Sequence, residues 1–332
     1  MEDLKSRTFE EIEDIGKASG LPSFKAKEIF RFIHHLLKDD IGSLSVLNLE
    51  ERYALKARYD ISRIALKRLL NGNEAVKASF ELPDGAVIET VLMKYEDNRR
   101  TLCISCQSGC PVGCLFCNTG RMGFKRNLTV GEILSQVYFF AGKEKISNIV
   151  FMGMGEPFLN YDNVIKAARI LNHPLGQNIS SRKIKISTIG IVTGIKKLAE
   201  EKGQFRLAWS LVAPSDKLRG KLIPLKKLAP IDEVVGAIKE YQKKSGRRIT
   251  IEYVVLKGVN DGEDEIKSLI KISRKLDSHV NLIPYNPSPA LPFRAGDINL
   301  VDSSLKEAGV NSTVRKSFGR DIMAACGQLC DD

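Results

Sequence analysis

The sequence predicts an α/β fold in which parallel strands form a partial barrel of six β/α units. Two observations support this: six apolar runs of strand length recur after Arg100, and segments of helix length separate them. Parallel strands need such long crossovers, so the alternation indicates a parallel sheet. Strands are expected at 101–105, 148–152, 183–188, 206–212, 249–255 and 279–284. Helices are expected between them, for example at 129–143, 192–201 and 232–244.

Residues 1–60 are predicted to form a small helical domain. Thr8 with Glu11, and Asn48 with Glu51, have the spacing of a capping box, which marks the first turn of a helix. Basic side chains of this region would either contact RNA phosphates or form an ordinary solvated face, and the sequence leaves both interpretations open. They are Lys25, Lys27, Arg31, Arg52, Lys56 and Arg58.

Residues 61–97 are predicted to add a β-hairpin extension before the barrel. Two strand-like runs, 75–82 and 86–94, flank Pro83-Asp-Gly85, which is typical of a tight turn. The barrel itself is assigned to residues 98–290. The C-terminal segment, residues 291–332, is expected to contain a helix near 300–307 and a strand at 313–316.

Composition narrows the possible classes of function. The chain has 332 residues, enough for a large core, and its 51 Lys and Arg against 40 Asp and Glu give a net charge of +11. Such a charge favours a polyanionic partner but does not identify it. No secretory signal or membrane-spanning apolar run is evident, so we expect a cytoplasmic protein. Seven cysteines in that reducing compartment indicate metal binding or catalysis.

Five of those seven cysteines lie between Cys103 and Cys117. Cys110, Cys114 and Cys117 have the spacing C-x3-C-x2-C, which lets three thiolates bind one iron–sulfur cube and leaves one iron open for chemistry. The alternative is a structural zinc site that pairs Cys103 with Cys106 and Cys114 with Cys117. The seven residues between those pairs are fewer than zinc sites usually have.

The cysteine motif and four further stretches together resemble the RlmN/Cfr family of radical S-adenosylmethionine RNA methyltransferases. The resemblance implies the radical SAM barrel, a [4Fe-4S] cluster on Cys110, Cys114 and Cys117, and S-adenosylmethionine as cofactor. It extends from about Leu21 to Leu329. Besides the triad with Phe116, it is carried by Cys103, Gly153-Met-Gly-Glu-Pro157, Val280-Asn-Leu-Ile-Pro-Tyr-Asn-Pro287 and Asp321-Ile-Met-Ala-Ala-Cys-Gly-Gln-Leu329.

The resemblance also implies which residues contact S-adenosylmethionine. The glycines of Gly153-Met-Gly-Glu-Pro157 would let the backbone approach the cofactor closely. The chain departs from the family at Val212, where a histidine is usual, so a contact made by that side chain is missing. The implied contacts are Gly155, Glu156, Ser187, Ser210, Leu211, Val212 and Asn286.

The implied reaction assigns roles to three more residues. C2 of adenine is electron-poor and has no acidic proton, so a polar methyl transfer lacks a nucleophile and a radical route is required. By resemblance, Cys326 carries the methyl group, Cys103 releases the product by forming a disulfide with Cys326, and Glu89 accepts the proton. Two cysteines, Cys106 and Cys330, are additional to the family pattern.

The sequence therefore predicts methylation of C2 of adenosine in 23S rRNA, near the peptidyl-transferase centre, and in tRNA beside the anticodon. Expected partners are these RNAs and an electron-donating flavodoxin or ferredoxin-type protein. The enzyme is expected to be a monomer that does not bind a membrane. Alternatives are methylation at C8 as in Cfr, a zinc-bearing RNA-binding module, and a radical enzyme for a small metabolite. Candidate RNA contacts around the site are Arg121, Lys125, Arg126, Arg315, Lys316 and Arg320.

Overall fold

In the computed structural model, which describes residues 1–330, the first sixty residues form a small helical module. Both predicted capping boxes are confirmed: Thr8 with Glu11 and Asn48 with Glu51 each exchange side-chain and backbone hydrogen bonds. A two-residue parallel pairing of β1 with β2 ties the start of the module to its end. The elements are β1 (Glu2–Asp3), α1 (Phe9–Ala18), α2 (Ser23–His34), α3 (Leu49–Arg58) and β2 (Tyr59–Asp60).

The hairpin predicted around Pro83-Asp-Gly85 is confirmed. Its two strands pair antiparallel, with Ala75 opposite Met93 and Glu81 opposite Val87. A third strand, not expected from the sequence, pairs with the first strand of the hairpin. The three strands are β3 (Ala65–Asn71), β4 (Ala75–Glu81) and β5 (Val87–Lys94).

The alternating region is confirmed as a series of β/α units, and each of the six predicted strands begins and ends within two residues of its expected position. Between the first and second units, the chain adds a short hairpin and a four-residue helix. The elements from there are β6 (Arg100–Cys103), β7 (Gln107–Gly109), α4 (Asn118–Arg121), β8 (Phe124–Asn127), α5 (Val130–Ala141), β9 (Asn148–Phe151), α6 (Tyr161–Asn172), β10 (Ile184–Thr188), α7 (Val192–Ala199), β11 (Arg206–Ser210), α8 (Asp216–Leu222), α9 (Ile231–Ser245), β12 (Ile249–Val255), α10 (Glu263–Arg274), β13 (Ser278–Pro284), α11 (Ile298–Glu307) and β14 (Ser312–Val314).

Ten of these strands form one sheet, in the order β14-β13-β12-β11-β10-β9-β6-β5-β4-β3. The strands from β6 through β9 to β14 are parallel, whereas β3 to β6 are antiparallel. The hairpin is therefore a continuation of the barrel sheet, and β14 extends the other edge beyond β13. No hydrogen-bonded pairing joins β3 to β14 within residues 1–330, so the barrel is partial.

The two faces of the parallel sheet differ in chemistry. Residues such as Ile186, Trp209 and Ile251 are almost completely buried in the apolar core. The alternate residues Ser210 and Glu252 lie side by side on the opposite face, which is polar. None of the helices within residues 1–330 combines enough length and hydropathy to cross a lipid bilayer.

Gln136 of α5 fixes the start of the cysteine loop, which follows β6. Its side chain is fully buried; Oε1 accepts hydrogen bonds from the Ser105 amide (2.9 Å) and the Thr90 hydroxyl (2.7 Å). Its Nε2 donates to the Ser105 carbonyl (2.9 Å). One side chain thus satisfies both backbone groups of Ser105 where the chain leaves the sheet and no strand partner is available.

We expect Gln136→Leu to lower the free energy of unfolding by about 2–4 kcal/mol, because it leaves buried polar groups of Ser105 and Thr90 unpaired. The measurement is denaturant unfolding of the purified protein. Gln204→Leu is the control at an exposed glutamine, where we expect a change within about 0.5 kcal/mol. A loss for Gln136→Leu no larger than that control would contradict the anchoring role.

Candidate active site

Three cysteines, Cys110, Cys114 and Cys117, line one cavity of about 160 Å³ at the carboxyl ends of the parallel strands. Burial raises the pKa of Cys110 to about 12 and that of Cys114 well above its usual value. The negative charges of neighbouring thiolates raise both values further. Such thiols stay protonated at neutral pH unless a cation stabilises the thiolates, so their chemistry fits a metal cluster.

The same cysteines do not fit the zinc alternative. Cys103 lies in a second cavity, and the buried Cys106 Sγ is 3.6 Å from the Met154 carbonyl oxygen, its hydrogen-bond acceptor. Within residues 1–330, no three His, Cys, Asp or Glu side chains are arranged to hold a single metal ion. A single zinc ion, with Zn–S bonds of about 2.3 Å, needs its ligands closer together than a cube of irons does.

The loop Gly153-Met-Gly-Glu-Pro157 follows β9 and packs directly against the start of the cysteine loop. A Cβ atom added to Gly153 would lie 2.7 Å from the Ile104 carbonyl carbon. One added to Gly155, which has a φ of +102°, would lie 2.6 Å from Gln107 Cβ. Only glycine fits at either position. Gly153 and Gly155 also line the cavity of the three cysteines, so backbone forms part of its wall.

Glu156 joins the loops that follow two neighbouring strands. Its carboxylate is 3% exposed and accepts hydrogen bonds from the amides of Phe158 (3.1 Å) and Ile189 (2.9 Å). Burial raises its pKa to about 7, although these hydrogen bonds oppose the rise. Glu156 lines the cavity, and its carboxylate already has two backbone partners that hold it in place.

The remaining residues expected to contact the cofactor do not all line the same cavity. Ser187 and Ser210 line the cavity with Val212, and the two serine hydroxyls are 3.0 Å apart. Leu211 is fully buried in the core and does not line that cavity. Asn286 lines the second cavity instead, where its Nδ2 donates to the Cys326 carbonyl (3.2 Å).

Val212 has a φ of +63°, a left-handed backbone conformation that costs a β-branched residue roughly 1–3 kcal/mol. The fully buried Asn260 stabilises it: Nδ2 donates to the Val212 carbonyl and to the Val254 carbonyl, both at 2.7 Å. The Oδ1 atom of Asn260 accepts from the Leu256 amide at 2.8 Å. Strained backbone held by a buried amide is thus part of the cavity wall.

Cys103 and Cys326, which are distant in sequence, line the same second cavity of about 130 Å³. This cavity adjoins the first, since Cys117, Met152 and Cys326 line both. Cys326 therefore lies between the cavity of the three cysteines and Cys103. Cys103 and Cys326 both lie within the described residues, and no disulfide joins them.

Arg315 is the positively charged residue that acts on both Cys103 and Cys326. Burial raises the pKa of Cys103 to about 12 and also raises that of Cys326, whereas the Arg315 guanidinium opposes both shifts. Arg315 lines the cavity with them, and its Nη1 lies 3.4 Å from Met152 Sδ. The sequence suggested an RNA contact for Arg315; the structure gives it a second interpretation as the counter-charge of the thiols.

Hydrogen bonds to backbone groups hold residues 319–330, the segment that carries Cys326, over the cysteine loop. The backbone amide of Asn118 donates to the Gly327 carbonyl (2.8 Å), and its side-chain Nδ2 donates to the Gln328 carbonyl (3.2 Å). Thr119 Oγ1 donates to the Leu329 carbonyl at 2.7 Å. Since Asn118 and Thr119 follow Cys117 directly, the position of Cys326 depends on the fold of the cysteine loop.

Glu89 lies on the same face of the sheet as Cys103, one step along the register, because Val91 pairs with Cys103. It lines neither thiol cavity. Its carboxylate is 3% exposed, contacts Lys77 Nζ (2.9 Å), and accepts hydrogen bonds from the Ser79 hydroxyl (3.1 Å) and the Cys330 amide (3.0 Å). Burial raises its pKa, whereas Lys77 opposes the rise.

Lys77 is a residue that the sequence reasoning missed. It is only 4% exposed, and besides Glu89 its Nζ contacts the Met323 carbonyl at 3.2 Å. Glu89 and Lys77 thus reach both ends of the stretch from Met323 to Cys330. Its strand also contains Ser79 and Glu81, so the local pattern did not single out Lys77.

Most basic residues expected to contact RNA beside the site have protein partners. Arg126 forms ion pairs with Asp84 (2.5 Å) and Glu132 (2.8 Å). Lys316 pairs with Glu74, and Arg320 donates to Asn286; Arg121 donates to the Ala290 carbonyl. In the helical module Lys25 pairs with Glu51, whereas the other cations that remain well exposed are Lys27, Arg31, Lys56 and Arg58.

Comparisons with known proteins agree with this site. Residues 104–270 match the family model described as the Radical SAM superfamily. The chain is 41% identical to "Probable dual-specificity RNA methyltransferase RlmN" of Dictyoglomus thermophilum, over 99% of this chain and 97% of that protein. It is 39% identical to "Dual-specificity RNA methyltransferase RlmN" of Syntrophotalea carbinolica, over 98% of this chain and 89% of that protein.

A solved structure is similar over the same extent. The crystal structure of a radical SAM methyltransferase from Sphaerobacter thermophilus superposes with a TM-score of 0.92 at 42% identity. The match covers 99% of both chains, so it includes the helical module and the C-terminal segment as well as the barrel.

We expect Lys77→Met to lower the free energy of unfolding at neutral pH by about 3–5 kcal/mol, because it leaves the buried Glu89 carboxylate without its counter-charge. Denaturant unfolding measures the loss. The folded-state pKa of Glu89 lies above its unfolded value, so the cost grows as pH rises and disappears below the unfolded pKa. The loss in Lys77→Met should therefore shrink as the pH is lowered.

Two variants control this prediction. Adding Glu89→Gln to Lys77→Met removes the uncompensated charge and should restore more than half of the lost stability. Lys27→Met, at an exposed lysine, should change stability by no more than about 0.5 kcal/mol. If the double variant is as unstable as Lys77→Met alone, the ion pair is not the reason for the loss.

Proposed function

This chain belongs to the RlmN family of radical SAM methyltransferases, and from that premise we propose that it methylates C2 of adenosine in 23S rRNA and tRNA. The observation that carries the proposal is the presence of Cys103 and Cys326 in one cavity, next to Cys117. A methyl group on the Cys326 thiol is accessible from the side of the cysteine triad and from the side of Cys103. Two of the relatives carry names that describe dual-specificity RNA methyltransferases.

Radical SAM membership implies S-adenosylmethionine and an iron–sulfur cluster, and we assign the ligands of a [4Fe-4S] cluster to Cys110, Cys114 and Cys117. When bound, the two groups together supply the methyl group, one electron and an adenosyl radical. The remaining wall of the same cavity accommodates S-adenosylmethionine against glycine backbone and hydroxyl groups. We assign these contacts to Gly155, Glu156, Ser187, Ser210, Val212 and the Leu211 backbone, with Asn286 at the boundary with the second cavity.

The role of Cys326 is to carry the methyl group. Its thiolate would take the methyl group of one S-adenosylmethionine, and the methyl carbon, after giving one hydrogen atom to the adenosyl radical, would form a bond to adenine C2. The one electron left over would return to the cluster. The base and Cys326 are then covalently joined through this carbon. The position of Cys326 supports this role, because the residue lines both the cavity of the three cysteines and the cavity of Cys103.

Glu89 and Cys103 complete the reaction in the proposal. Glu89 takes the proton from C2, and the Cys103 thiolate then attacks the Cys326 sulfur to form a disulfide. The electron pair of the broken carbon–sulfur bond stays on the carbon, which takes up a proton and becomes the new methyl group. Lys77 beside Glu89 keeps that carboxylate ionised and able to accept a proton. The Cys330 amide caps Glu89, so the carboxylate reaches the base only when residues 323–330 shift.

Arg315 supports the thiolate forms on which both sulfur steps depend. Burial raises the pKa of Cys103 to about 12, so the uncharged thiol is favoured in the resting protein. The guanidinium in the same cavity lowers the pKa of both thiols, and it also complements an RNA phosphate when the base is flipped into the site.

For the wider assembly, we propose that the helical module of residues 1–60 contacts the RNA, and that a flavodoxin or ferredoxin-type protein supplies the electron. The exposed cations Lys27, Arg31, Lys56 and Arg58 suit the first contact. The sister activity at C8 remains the second candidate, since Ser187-Thr-Ile-Gly-Ile191 and Arg315-Lys-Ser-Phe-Gly319 resemble Cfr. Residues from both stretches line the two cavities.

The proposed reaction predicts 2-methyladenosine as the product. The protein is purified without oxygen, reconstituted with iron and sulfide, and incubated with reductant, S-adenosylmethionine and unmodified 23S rRNA or tRNA. Mass spectrometry of the digested RNA then identifies the isomer. Cys114→Ala should lose iron and activity, whereas Cys106→Ala should keep both. The C8 isomer would replace C2 in the proposal, and a loaded, cofactor-cleaving enzyme without methylated RNA would refute an RNA substrate.

The two-cysteine mechanism predicts that Cys103→Ala traps a covalent protein–RNA adduct, because the bond from Cys326 to the base then has no thiol to break it. Denaturing gel electrophoresis after ribonuclease digestion measures the adduct. The double variant Cys103→Ala/Cys326→Ala should show none, and Cys330→Ala should turn over without trapping. Normal turnover by Cys103→Ala with only free protein is incompatible with the proposed role of Cys103.

A further inference from the structure

A third cavity lies at the opposite end of the parallel strands from the three cysteines. It measures about 790 Å³, whereas the cavity of the three cysteines measures about 160 Å³. The starts of β10 to β13 form its floor, since Lys185, Arg206, Thr250 and His279 line it. On β10 and β12 this cavity is lined by Lys185 and Thr250, whereas Ser187 and Glu252, two residues further along, line the cavity of the three cysteines. At about 3.3 Å per residue the two linings are roughly 7 Å apart along the strands, and they share no residue.

The lining of this cavity is strongly basic. Five of its residues are lysine or arginine, and none is aspartate or glutamate. Most of its other residues are polar, with hydroxyl and amide groups that can donate hydrogen bonds. We call it the basic cavity and define it by its five cations, which are Arg182, Lys185, Arg206, Arg247 and Arg248.

Three of the five cations have no carboxylate partner among residues 1–330. Arg206 and Arg247 form no ion pair there, and Arg182 Nε donates to the neutral Gln204 Oε1 at 3.0 Å. The other two are partly neutralised, since Lys185 Nζ is 3.3 Å from Glu252 and Arg248 Nε is 3.1 Å from Asp277. The basic cavity therefore retains a surplus of positive charge that the protein does not compensate.

The register of the strands makes this arrangement costly without an anion. Lys185 and Arg206 are direct neighbours on β10 and β11, and like charges side by side destabilise a sheet. His279 lies in the same field: burial lowers its pKa, and Arg248 and Lys185 lower it further. An anion between these side chains would remove the repulsion and would favour protonation of His279.

We propose that the basic cavity binds phosphate groups, supplied by an RNA strand or by a free polyphosphate. Arginine presents several donors in a planar fork that matches phosphate, and four of the five cations are arginine. The volume suits several phosphates, and the hydroxyl and amide groups can bind the sugar or additional oxygens. The RNA source rests on the proposed function, whereas phosphate binding itself does not. A strand bound here adds affinity through contacts that do not involve the reacting base.

The test compares Arg206→Glu/Arg247→Glu with the reconstituted wild-type protein. Isothermal titration calorimetry with sodium tripolyphosphate at low salt should show binding by the wild type and at least a tenfold loss in the variant. Fluorescence anisotropy of a labelled single-stranded RNA, measured over a salt series, provides the second arm. The slope of log K against log salt should fall by about 1.4 if two phosphate contacts are lost, at about 0.7 per contact.

Lys239→Glu/Lys243→Glu is the matched control, because it makes the same charge change on exposed residues of α9 outside the basic cavity. It should leave tripolyphosphate affinity within twofold of the wild type. If the charge reversal fails to fold, as circular dichroism would show, Arg206→Gln/Arg247→Gln replaces it with the same expected direction.

Loss of both tripolyphosphate and RNA affinity identifies RNA as the phosphate source, and loss of tripolyphosphate alone identifies a free polyphosphate. No tripolyphosphate binding by the wild type, or equal losses in both charge-reversal variants, would overturn the proposal and leave an ordinary solvated surface. A wild type that binds tripolyphosphate but methylates no RNA would refute the proposed function alone.

Discussion

The buried ion pair between Lys77 and Glu89 is the interaction on which the active site depends most. Each partner also holds a backbone group of the C-terminal segment, at Met323 and at Cys330. Those two contacts bracket Cys326, so the antiparallel part of the sheet positions a thiol that belongs to the far end of the barrel. A buried charge pair is costly to form, and here its benefit is the placement of the segment that carries Cys326.

Sequence patterns predicted the barrel well because its signals are local. Apolar runs of strand length, separated by amphipathic segments, define β6 and β9 to β13, and the capping boxes of α1 and α3 follow from residues three positions apart. The spacing of the cysteine triad is equally local. Contacts between distant segments leave no such signal. The place of β14 beside β13 and the burial of Lys77 are of this kind.

The site residues divide in the same way. Gly153 and Gly155 could be recognised because glycine has a distinct physical role, and the structure shows that a Cβ atom at either position would overlap the cysteine loop. Family resemblance could not say that Leu211 would face the core or that Asn286 would bind the Cys326 carbonyl. Val212, with its left-handed backbone, breaks a local preference that Asn260 compensates, and such exceptions are expected at functional sites.

The segment of residues 319–330 is among the last parts of the chain to be synthesised. Synthesis proceeds from the N-terminus, and domains fold as their residues emerge, so β6 to β13 and the cysteine loop form before Cys326 leaves the ribosome. Until then residues 327–329 are not present to accept the hydrogen bonds of Asn118 and Thr119. Placement of Cys326 is therefore a late event in the maturation of this protein, and it depends on a cysteine loop that has already folded.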